Sequence, residues 1–295
     1  MKNFLLLSLL RGISILPLGV ARGLGGCIGW LAWMLNVREA KITKVNLACC
    51  FPEMAEAERN QLARQSMMEW GKTLLEIPVV WGHSPAWLEK KIIAIEGQDI
   101  FERLRDQGRG LIIVAPHLGN WEVVGLHWSR HGELTSMFSP TGVESFDNWV
   151  KQAREKVGAT LVPADNRGVI RLLKALKEKK VLGILPDQTP APSAGGYAPF
   201  YGLSALTMTL IHNLLKRSGG AAVFCYAERV AGGFRLVCRE APESLYSEDE
   251  TESLTGLNHG VERCVEECPP QYQWEYKRFR RRAPGEPRIY TKENT

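Results

Sequence analysis

The chain has 295 residues, of which 45% are hydrophobic and 23% are charged. This composition excludes a disordered or low-complexity chain, and the length suits one large domain. The formal net charge of +5 is too small to indicate nucleic-acid binding by itself. The seven cysteines are irregularly spaced and include no Cys-x-x-Cys pair, which argues against a zinc ribbon and favours a reducing compartment.

The first 37 residues contain no acidic residue and consist of apolar runs separated by single arginines. The run from Gly23 to Val37 is shorter than the roughly 20 residues that span a bilayer. It becomes long enough when it is joined to the preceding run across Arg22, whose side chain can snorkel. A cleaved signal peptide fits poorly, because arginines interrupt the apolar stretch. The sequence therefore predicts that residues 1–37 form an uncleaved membrane anchor, either one spanning helix or a monotopic helix.

The rest of the chain, residues 38–295, alternates short apolar runs with amphipathic segments. The amphipathic pattern predicts helices over 55–80 (closed by Pro78 and by the stretch 82–85), 98–107, from Asn120 onward, 146–157 (capped by Ser145), 167–178, 205–217 and 252–268. The apolar runs predict strands over 111–115, 135–138, 160–162 and 181–185, and an antiparallel pair over 221–227 and 234–239. Because strands alternate with helices, we expect an α/β fold, with a largely parallel sheet and helices on both faces.

A candidate catalytic histidine follows the predicted strand 111–115. Ligands of parallel α/β sheets bind at the carboxyl ends of the strands, which is where His117 falls. Asn120 is a good N-cap, so His117 lies on a loop and Glu122 lies in the first turn of the next helix. A carboxylate there can hold the tautomer of the imidazole, which makes His117 a candidate general base for a hydroxyl. The alternative is a loop histidine that is hydrogen-bonded to a backbone group.

A second acidic position lies at the same predicted edge of the sheet. Asp187 and Gln188 follow the strand predicted over 181–185. Asp187 could equally cap a turn. Arg154 lies in the helix predicted over 146–157, and an arginine in such a basic stretch is commonly part of a solvated helix face.

These residues together resemble the lipid A biosynthesis acyltransferases, the lauroyl/myristoyl type of Gram-negative bacteria. The ordered set is His117-x4-Glu122, Arg154 and Asp187-Gln188. Further blocks extend the resemblance over nearly the whole chain: Asn46-Leu47 with Cys50-Phe51-Pro52, Pro199-Phe200-Tyr201-Gly202, and Gln273-Trp274-Glu275-Tyr276-Lys277-Arg278-Phe279-Arg280. His-x4-Glu alone is modest evidence, because the wider glycerolipid acyltransferases carry His-x4-Asp.

The resemblance implies a glycerolipid-acyltransferase-like domain over residues 38–295, with a basic C-terminal tail. It implies transfer of an acyl chain, lauroyl or similar, from acyl carrier protein to a hydroxyl of a lipid A precursor. The reaction would take place at the bacterial inner membrane, with the catalytic domain in the cytoplasm. Neither a metal nor another cofactor is expected, and nucleic acid is not an expected partner.

Residue roles follow from the resemblance and from the residue types. His117 would deprotonate the hydroxyl, and Glu122 would orient His117 and stabilise its cation. Arg154 would hold a phosphate of the acceptor or the developing oxyanion. Asp187 would position a polar group of the sugar headgroup or of Arg154. Asn120 and Gln188 are expected among the substrate-binding residues.

The C-terminal tail carries a strong local charge, because five of the six residues 277–282 are Lys or Arg. One interpretation is a solvated charged tail. The other is that Lys277, Arg278 and Arg280 bind phosphate-rich lipid at a membrane surface, with acidic acyl carrier protein as a second partner for this patch.

Two alternatives to the lipid A reaction remain at this point. One is an acyltransferase that acts on a glycerophospholipid or another glycolipid. The other is a membrane-anchored lipid-binding protein without catalysis, although the pairing of His117 with Glu122 argues against it.

Overall fold

The computed structural model describes residues 2–131, 134–291 and 294–295. The chain begins with four helices: α1 (Lys2–Ser14), α2 (Leu18–Met34), α3 (Arg38–Cys50) and α4 (Glu56–Gly82). Seven further helices follow in the described part of the chain: α5 (Pro85–Lys91), α6 (Gln98–Asp106), α7 (Trp121–Trp128), α8 (Glu144–Glu155), α9 (Asn166–Lys177), α10 (Leu210–Ser218) and α11 (Glu250–Glu267).

A central sheet of seven strands organises the domain, in the order β1-β9-β8-β2-β5-β3-β4. The strands are β1 (Ile92–Glu96), β2 (Leu111–Val114), β3 (Leu134–Phe138), β4 (Thr160–Pro163), β5 (Val181–Ile184), β8 (Ala221–Val230) and β9 (Gly233–Glu240). Every neighbouring pair is parallel except β8 with β9, which form a hairpin. The prediction of a largely parallel sheet is confirmed.

Two hydrophobic cores cover the two faces of this sheet. Helices α3, α9, α10 and α11 contribute side chains to one core, together with Ile112 and Val114 of β2. Helices α2 and α4 to α8 contribute to the other core, together with Leu111 and Ile113 of the same strand. The alternation along β2 follows from the period of two in a strand, and helices therefore cover both faces as predicted.

A two-stranded hairpin, β6 (Gly195–Phe200) with β7 (Leu203–Met208), corrects the helix predicted over 205–217. The helix begins only at Leu210, because residues 203–208 pair with the preceding strand. Helix α4 ends at Gly82, in the stretch 82–85 that was predicted to close it. Two other expectations about helix ends are wrong. Pro78 lies inside α4, where packing of the buried residues after it outweighs the lost hydrogen bond. Ser145 does not cap α8, which begins one residue earlier at Glu144.

The N-terminal helices differ from the predicted anchor. No single helix in the described ranges is long and apolar enough to cross a bilayer, whereas α2 and α3, bent by 79° at their junction, meet that test together. The helix around Arg22 has 17 residues, because Pro17 precedes its first turn. Arg22 does not snorkel toward a membrane surface. It forms an ion pair with Glu76 of α4 and donates hydrogen bonds to the carbonyl oxygens of Val230 and Gly233, at 2.6 and 2.8 Å.

Glycines allow α2 to pack closely against α4. A Cβ atom at Gly29 would lie 2.0 Å from the carbonyl oxygen of Met67, and one at Gly71 would lie 2.1 Å from that of Gly25. The helix therefore presents its small residues to the protein. The opposite side of α2 and the turn after it expose large apolar side chains: Val20, Leu24, Ile28, Trp30, Leu31, Met34 and Leu35.

Candidate active site

The parallel pairing of β2 with β5 brings two loops together at one edge of the sheet. His117 lies on the loop between β2 and α7, and Asp187 lies on the loop after β5. Their side chains meet, with His117 Nδ1 2.8 Å from Asp187 Oδ1. The backbone N–H of His117 donates a second hydrogen bond to Asp187 Oδ2, at 2.9 Å. Both residues therefore lie at the carboxyl edge of the sheet, as the sequence predicted.

The partner of the imidazole is not the predicted one. Glu122 lies in the first turn of α7 as expected, but its carboxylate binds Arg154 of α8, with Oε1 2.5 Å from Nη2 and Oε2 3.1 Å from Nε. The indole N–H of Trp81 donates to the same carboxylate at 2.9 Å. Asp187 therefore takes the orienting role expected of Glu122, because its loop reaches the Nδ1 side of the imidazole.

Arg154 does not lie on a solvated helix face, which was one of its two interpretations. Its side chain is 25% exposed and lies between α8 and α7, so it is not part of a solvated helix face. Its carboxylate partner is Glu122, and the carboxylate of Asp187 is engaged by His117 instead. The predicted pairing of Asp187 with Arg154 is therefore wrong.

Burial and charge act in opposite directions on the two carboxylates. Burial disfavours the charge of Asp187, but the positive charge of His117 and its hydrogen bonds hold the pKa of Asp187 below its usual value. Burial likewise opposes ionisation of Glu122, while the charge and hydrogen bonds of Arg154 and the hydrogen bond of Trp81 hold its pKa below the usual value. Both groups are thus carboxylates at neutral pH, and Asp187 accepts the Nδ1–H of His117.

A cavity of about 450 Å³, called the large cavity below, opens beside His117. His117, Glu122, Arg154 and Gln188 line its polar part. The remaining wall is mainly apolar and is formed by residues that include Ile113, Val124, Leu126, Leu134, Met137, Ile184, Leu185, Met208 and Leu210. When the imidazole is neutral and donates Nδ1–H to Asp187, its lone pair is on Nε2, which is then the atom able to accept a proton.

The C-terminal segment fixes both loops of the site. The backbone N–H of Gln273 donates to the carbonyl oxygen of His117 at 3.1 Å, and the side chain of Gln188 donates to Gln273 Oε1 at 2.9 Å. The hydroxyl of Tyr276 accepts the backbone N–H of Thr189, at 2.9 Å. Sequence reasoning missed this role, although it had singled out the segment 273–280 as a family signature.

Asn46, in another of those signature blocks, holds the same segment from the other side. Its amide nitrogen donates to the carbonyl oxygens of Trp274 and Tyr276, at 2.6 and 2.8 Å. Its amide oxygen accepts the hydroxyl of Tyr290, at 2.5 Å. Asn46 therefore connects α3 to the C-terminal segment, which gives this signature block a structural role.

The predicted substrate-binding residues Gln188, Arg280 and Asn120 lie in different surroundings. Gln188 lines the large cavity, and Arg280 is exposed at the surface. Asn120 stands before the first residue of α7 as predicted, but it is fully buried, outside the lining of the large cavity, with its amide nitrogen 3.5 Å from Glu76 Oε2. Its predicted contact with substrate is therefore wrong.

The basic tail also contains one residue that cannot dock a ligand. Arg278 is only 3% exposed and donates hydrogen bonds to Leu206 O and Thr207 Oγ1, at 2.7 and 2.9 Å. Burial lowers its pKa. Lys277 is half-buried and lies with its Nζ 3.2 Å from the hydroxyl of Thr295. Arg278 thus joins the C-terminal segment to the hairpin, and its predicted role in substrate binding is wrong.

Within residues 2–131, 134–291 and 294–295, no group of three or more His, Cys, Asp or Glu side chains is arranged to hold a metal ion.

Residues 1–281 match the family described as bacterial lipid A biosynthesis acyltransferase. The chain belongs to this family. It is accordingly an acyltransferase of the lipid A biosynthesis type.

Curated relatives from Escherichia coli strain K12 span nearly the same length. The chain is 27% identical to a lipid A biosynthesis palmitoleoyltransferase over 280 residues, covering 93% of this chain and 90% of the relative. It is also 27% identical to a lipid A biosynthesis lauroyltransferase, with the same coverage. A lipid A biosynthesis myristoyltransferase is 23% identical over 97% of this chain and 88% of its own length.

Removing the carboxylate of Glu122 should destabilise the protein, because it leaves the largely buried guanidinium of Arg154 without its partner. We expect Glu122→Ala to cost about 3 kcal/mol in the free energy of unfolding, measured by chemical denaturation. The double variant Glu122→Ala/Arg154→Met should recover part of this loss, since it leaves no unpaired charge. Equal stability of wild type and Glu122→Ala would contradict the ion pair.

The same pair should also give a pH-dependent stability. The folded-state pKa of Glu122 is below its usual value of 4.5, so the stabilisation is complete above about pH 4.5. It is lost as the pH falls through the lowered pKa of the folded state. Denaturation curves of the wild type between neutral and acidic pH should therefore converge with those of Glu122→Ala at the acidic end.

Proposed function

We propose that this enzyme transfers an acyl chain, lauroyl or similar, from acyl carrier protein to a hydroxyl group of a lipid A precursor. The observation that carries the proposal is the His117–Asp187 pair at the mouth of the large apolar cavity. A hydrocarbon chain gains from burial in such a cavity, by about 0.8 kcal/mol for each methylene. The relatives named above transfer palmitoleoyl, lauroyl and myristoyl chains in lipid A biosynthesis, according to their names.

In the proposed mechanism His117 acts as the general base. Its Nε2 accepts the proton of the acceptor hydroxyl while the oxygen attacks the thioester carbonyl. The C–S bond of the resulting tetrahedral intermediate breaks, and the imidazolium returns the proton to the departing thiolate. Asp187 holds the required tautomer and stabilises the imidazolium. A covalent acyl-enzyme is unnecessary, because the thioester is already an activated donor.

Glu122 has a different role in this mechanism from the one expected of it, whereas Arg154 keeps one of its two expected roles. The planar guanidinium of Arg154 donates two hydrogen bonds to Glu122, which hold it in one orientation, and both side chains line the large cavity. The positive charge of Arg154 can stabilise the oxyanion that develops on the thioester carbonyl. Glu122 is then a positioning residue for Arg154.

The mechanism predicts a large loss of turnover in His117→Ala, about 10²–10⁴-fold, because the general base is removed. Asp187→Asn should lower kcat by a similar factor, since an amide no longer favours the Nδ1–H tautomer or the imidazolium. Acyl transfer is measured with purified protein, acyl-loaded acyl carrier protein and a lipid A precursor. The matched control is His259→Ala, which removes an exposed histidine of α11 and should retain activity.

Wild-type turnover in His117→Ala would disprove the mechanism, whereas lipid binding without acyl transfer by the purified wild type would favour a lipid-binding protein. A lysophospholipid is offered as acceptor in parallel with the lipid A precursor. Preference for the lysophospholipid would instead support the glycerophospholipid alternative.

We further propose that the enzyme is a monotopic protein of the bacterial inner membrane, with its catalytic domain in the cytoplasm. The support is the two-sided character of α2, which packs by its glycines on α4 and exposes apolar side chains on the opposite side. An amphipathic helix of this kind buries its apolar face in the interfacial region of a bilayer. The exposed tryptophan Trp30 suits the headgroup level.

The proposed membrane surface can be tested with two exposed leucines, Leu31 and Leu35, which are 51% and 67% exposed. The variant Leu31→Glu/Leu35→Glu should leave the fold intact and shift the protein from the membrane fraction to the soluble fraction. Burial of each leucine is worth about 1.5–3 kcal/mol, so losing two is enough to move the partition. Ile170→Glu is the control, because Ile170 is 68% exposed on α9. Retention of both variants on carbonate-washed membranes would place the membrane-binding surface elsewhere.

The exposed arginines of the C-terminal tail support a role in binding an anionic partner. Arg280, Arg281 and Arg288 are exposed, and Arg280 also donates a hydrogen bond to the carbonyl oxygen of Thr189 near the active site. The phosphates of a lipid A precursor and the acidic surface of acyl carrier protein are both suitable anions. We propose the lipid phosphates as the first partner of this surface.

Replacing Arg280, Arg281 and Arg288 with Gln should raise KM for the lipid A precursor with little change in kcat. Salt screens the attraction between exposed charges, which extends over about 8 Å at physiological ionic strength. Rising salt should therefore weaken the binding of this lipid to the wild type more than to the variant, which has lost three of the charges. The control replaces three exposed basic residues of α9, Arg167, Arg171 and Lys174, with Gln. A rise confined to the KM of acyl carrier protein would reassign the surface to the donor, and no difference from the control would mean a solvated tail.

A further inference from the structure

A second cavity, of about 150 Å³ and called the small cleft below, adjoins His117. His117 and Trp121 are the two residues that line both the small cleft and the large cavity. The two rings contact each other, with 4.8 Å between their centroids. The imidazole therefore lies where a molecule in the small cleft would meet a molecule in the large cavity.

The small cleft has one apolar wall and one polar wall. Trp70, Leu74 and Ile77 of α4 form the apolar wall, which is open to solvent at Leu74, 45% exposed. The C-terminal segment forms the polar wall, from which Gln271, Gln273 and Glu275 line the cleft. This combination suits a ligand with a hydrocarbon chain and a hydrogen-bonding group close together.

The carboxyl group of Glu275 has an unusual environment. Burial raises the pKa of Glu275 to about 8, although its own backbone N–H and the side chain of Gln273 act in the opposite direction. The group is therefore largely protonated at neutral pH, and a neutral carboxylic acid can both donate and accept a hydrogen bond. Neither the proposed mechanism nor the packing of the C-terminal segment gives this group a role.

We propose that the small cleft binds the part of the acceptor lipid that carries the reacting hydroxyl. The acyl arm lies against Trp70, Leu74 and Ile77, and Glu275 hydrogen-bonds the polar group next to the hydroxyl. This inference rests on the proposed function, in which the donor's acyl chain occupies the large cavity. The acceptor hydroxyl and the donor thioester then approach the imidazole of His117 from the two spaces that it borders.

The size of the small cleft limits what it holds. An apolar cavity of about 150 Å³ accommodates a molecule of the size of benzene. A whole acyl chain does not fit, so only the segment around the hydroxyl enters, and the rest of the arm extends past the exposed Leu74. The large cavity has about three times this volume, which suits the longer buried segment of a donor chain.

The test compares two exposed apolar residues in detergent micelles, where membrane binding does not limit the rate. Leu74→Asp places a charge in the apolar wall of the small cleft. Ile170→Asp introduces the same charge at a residue that is 68% exposed on α9, outside the cleft and outside the proposed membrane surface. KM is measured separately for a lipid A precursor with hydroxyacyl arms and for dodecanoyl-loaded acyl carrier protein. Leu74→Asp should raise KM for the precursor by about tenfold or more, with little change in KM for the donor, and Ile170→Asp should change neither.

A second variant addresses the polar wall. Glu275→Ala should also raise KM for the precursor more than KM for the donor, because the hydrogen-bonding group is removed. If Leu74→Asp fails to fold, Leu74→Gln provides the same comparison without a charge. Equal effects of Leu74→Asp and Ile170→Asp, or an effect confined to the donor, would overturn the inference. A wild-type enzyme that does not acylate the precursor would instead contradict the proposed function, so the two failures are distinguishable.

Discussion

The site depends on the parallel pairing of β2 with β5. This register places the loop that carries His117 beside the loop that carries Asp187, although the two residues are 70 positions apart in sequence. The carboxylate of Asp187 accepts hydrogen bonds from both the ring and the backbone N–H of His117. A single side chain therefore sets the orientation of the ring and the conformation of its loop, and the Nε2 lone pair is directed by the fold itself.

The C-terminal segment makes this arrangement rigid. Gln273 bonds the loop of His117, Tyr276 bonds the loop after β5, and the buried Arg278 joins the segment to the hairpin β6–β7. Arg278, which belongs to the basic stretch 277–282, is thus part of this framework together with the residues just before it. Only its outward-pointing arginines remain for contact with anionic partners.

The sequence predicted the elements whose pattern is local. The buried strand 111–115, the helix after Asn120 and the parallel sheet follow from apolar runs and from the alternation of strands with helices, and these place His117 and Asp187 at the same edge. The partner of His117 could not be predicted, because five positions of sequence separation favour Glu122 while Asp187 approaches only through the tertiary fold. The partners of Arg278 and Arg22 could not be predicted either. A charged side chain in a basic or apolar stretch carries no local signal of a distant carbonyl or carboxylate partner. The hairpin over 195–208 was missed because its second strand reads as the first turns of the following helix.

The ion pair between Arg22 and Glu76 has a consequence for how the enzyme meets its lipid. Glu76 also binds Arg229 of β8, with Oε2 2.8 Å from the guanidinium. Helix α2, which carries Arg22, is therefore joined to the central sheet through Glu76. An amphipathic helix on a flexible tether would let the catalytic domain tumble above a bilayer. Here Arg22 of α2 and Arg229 of β8 share Glu76, so ion pairs hold the position of α2 relative to the central sheet. If α2 lies on a lipid surface, the same ion pairs set the height and the tilt of His117 above that surface.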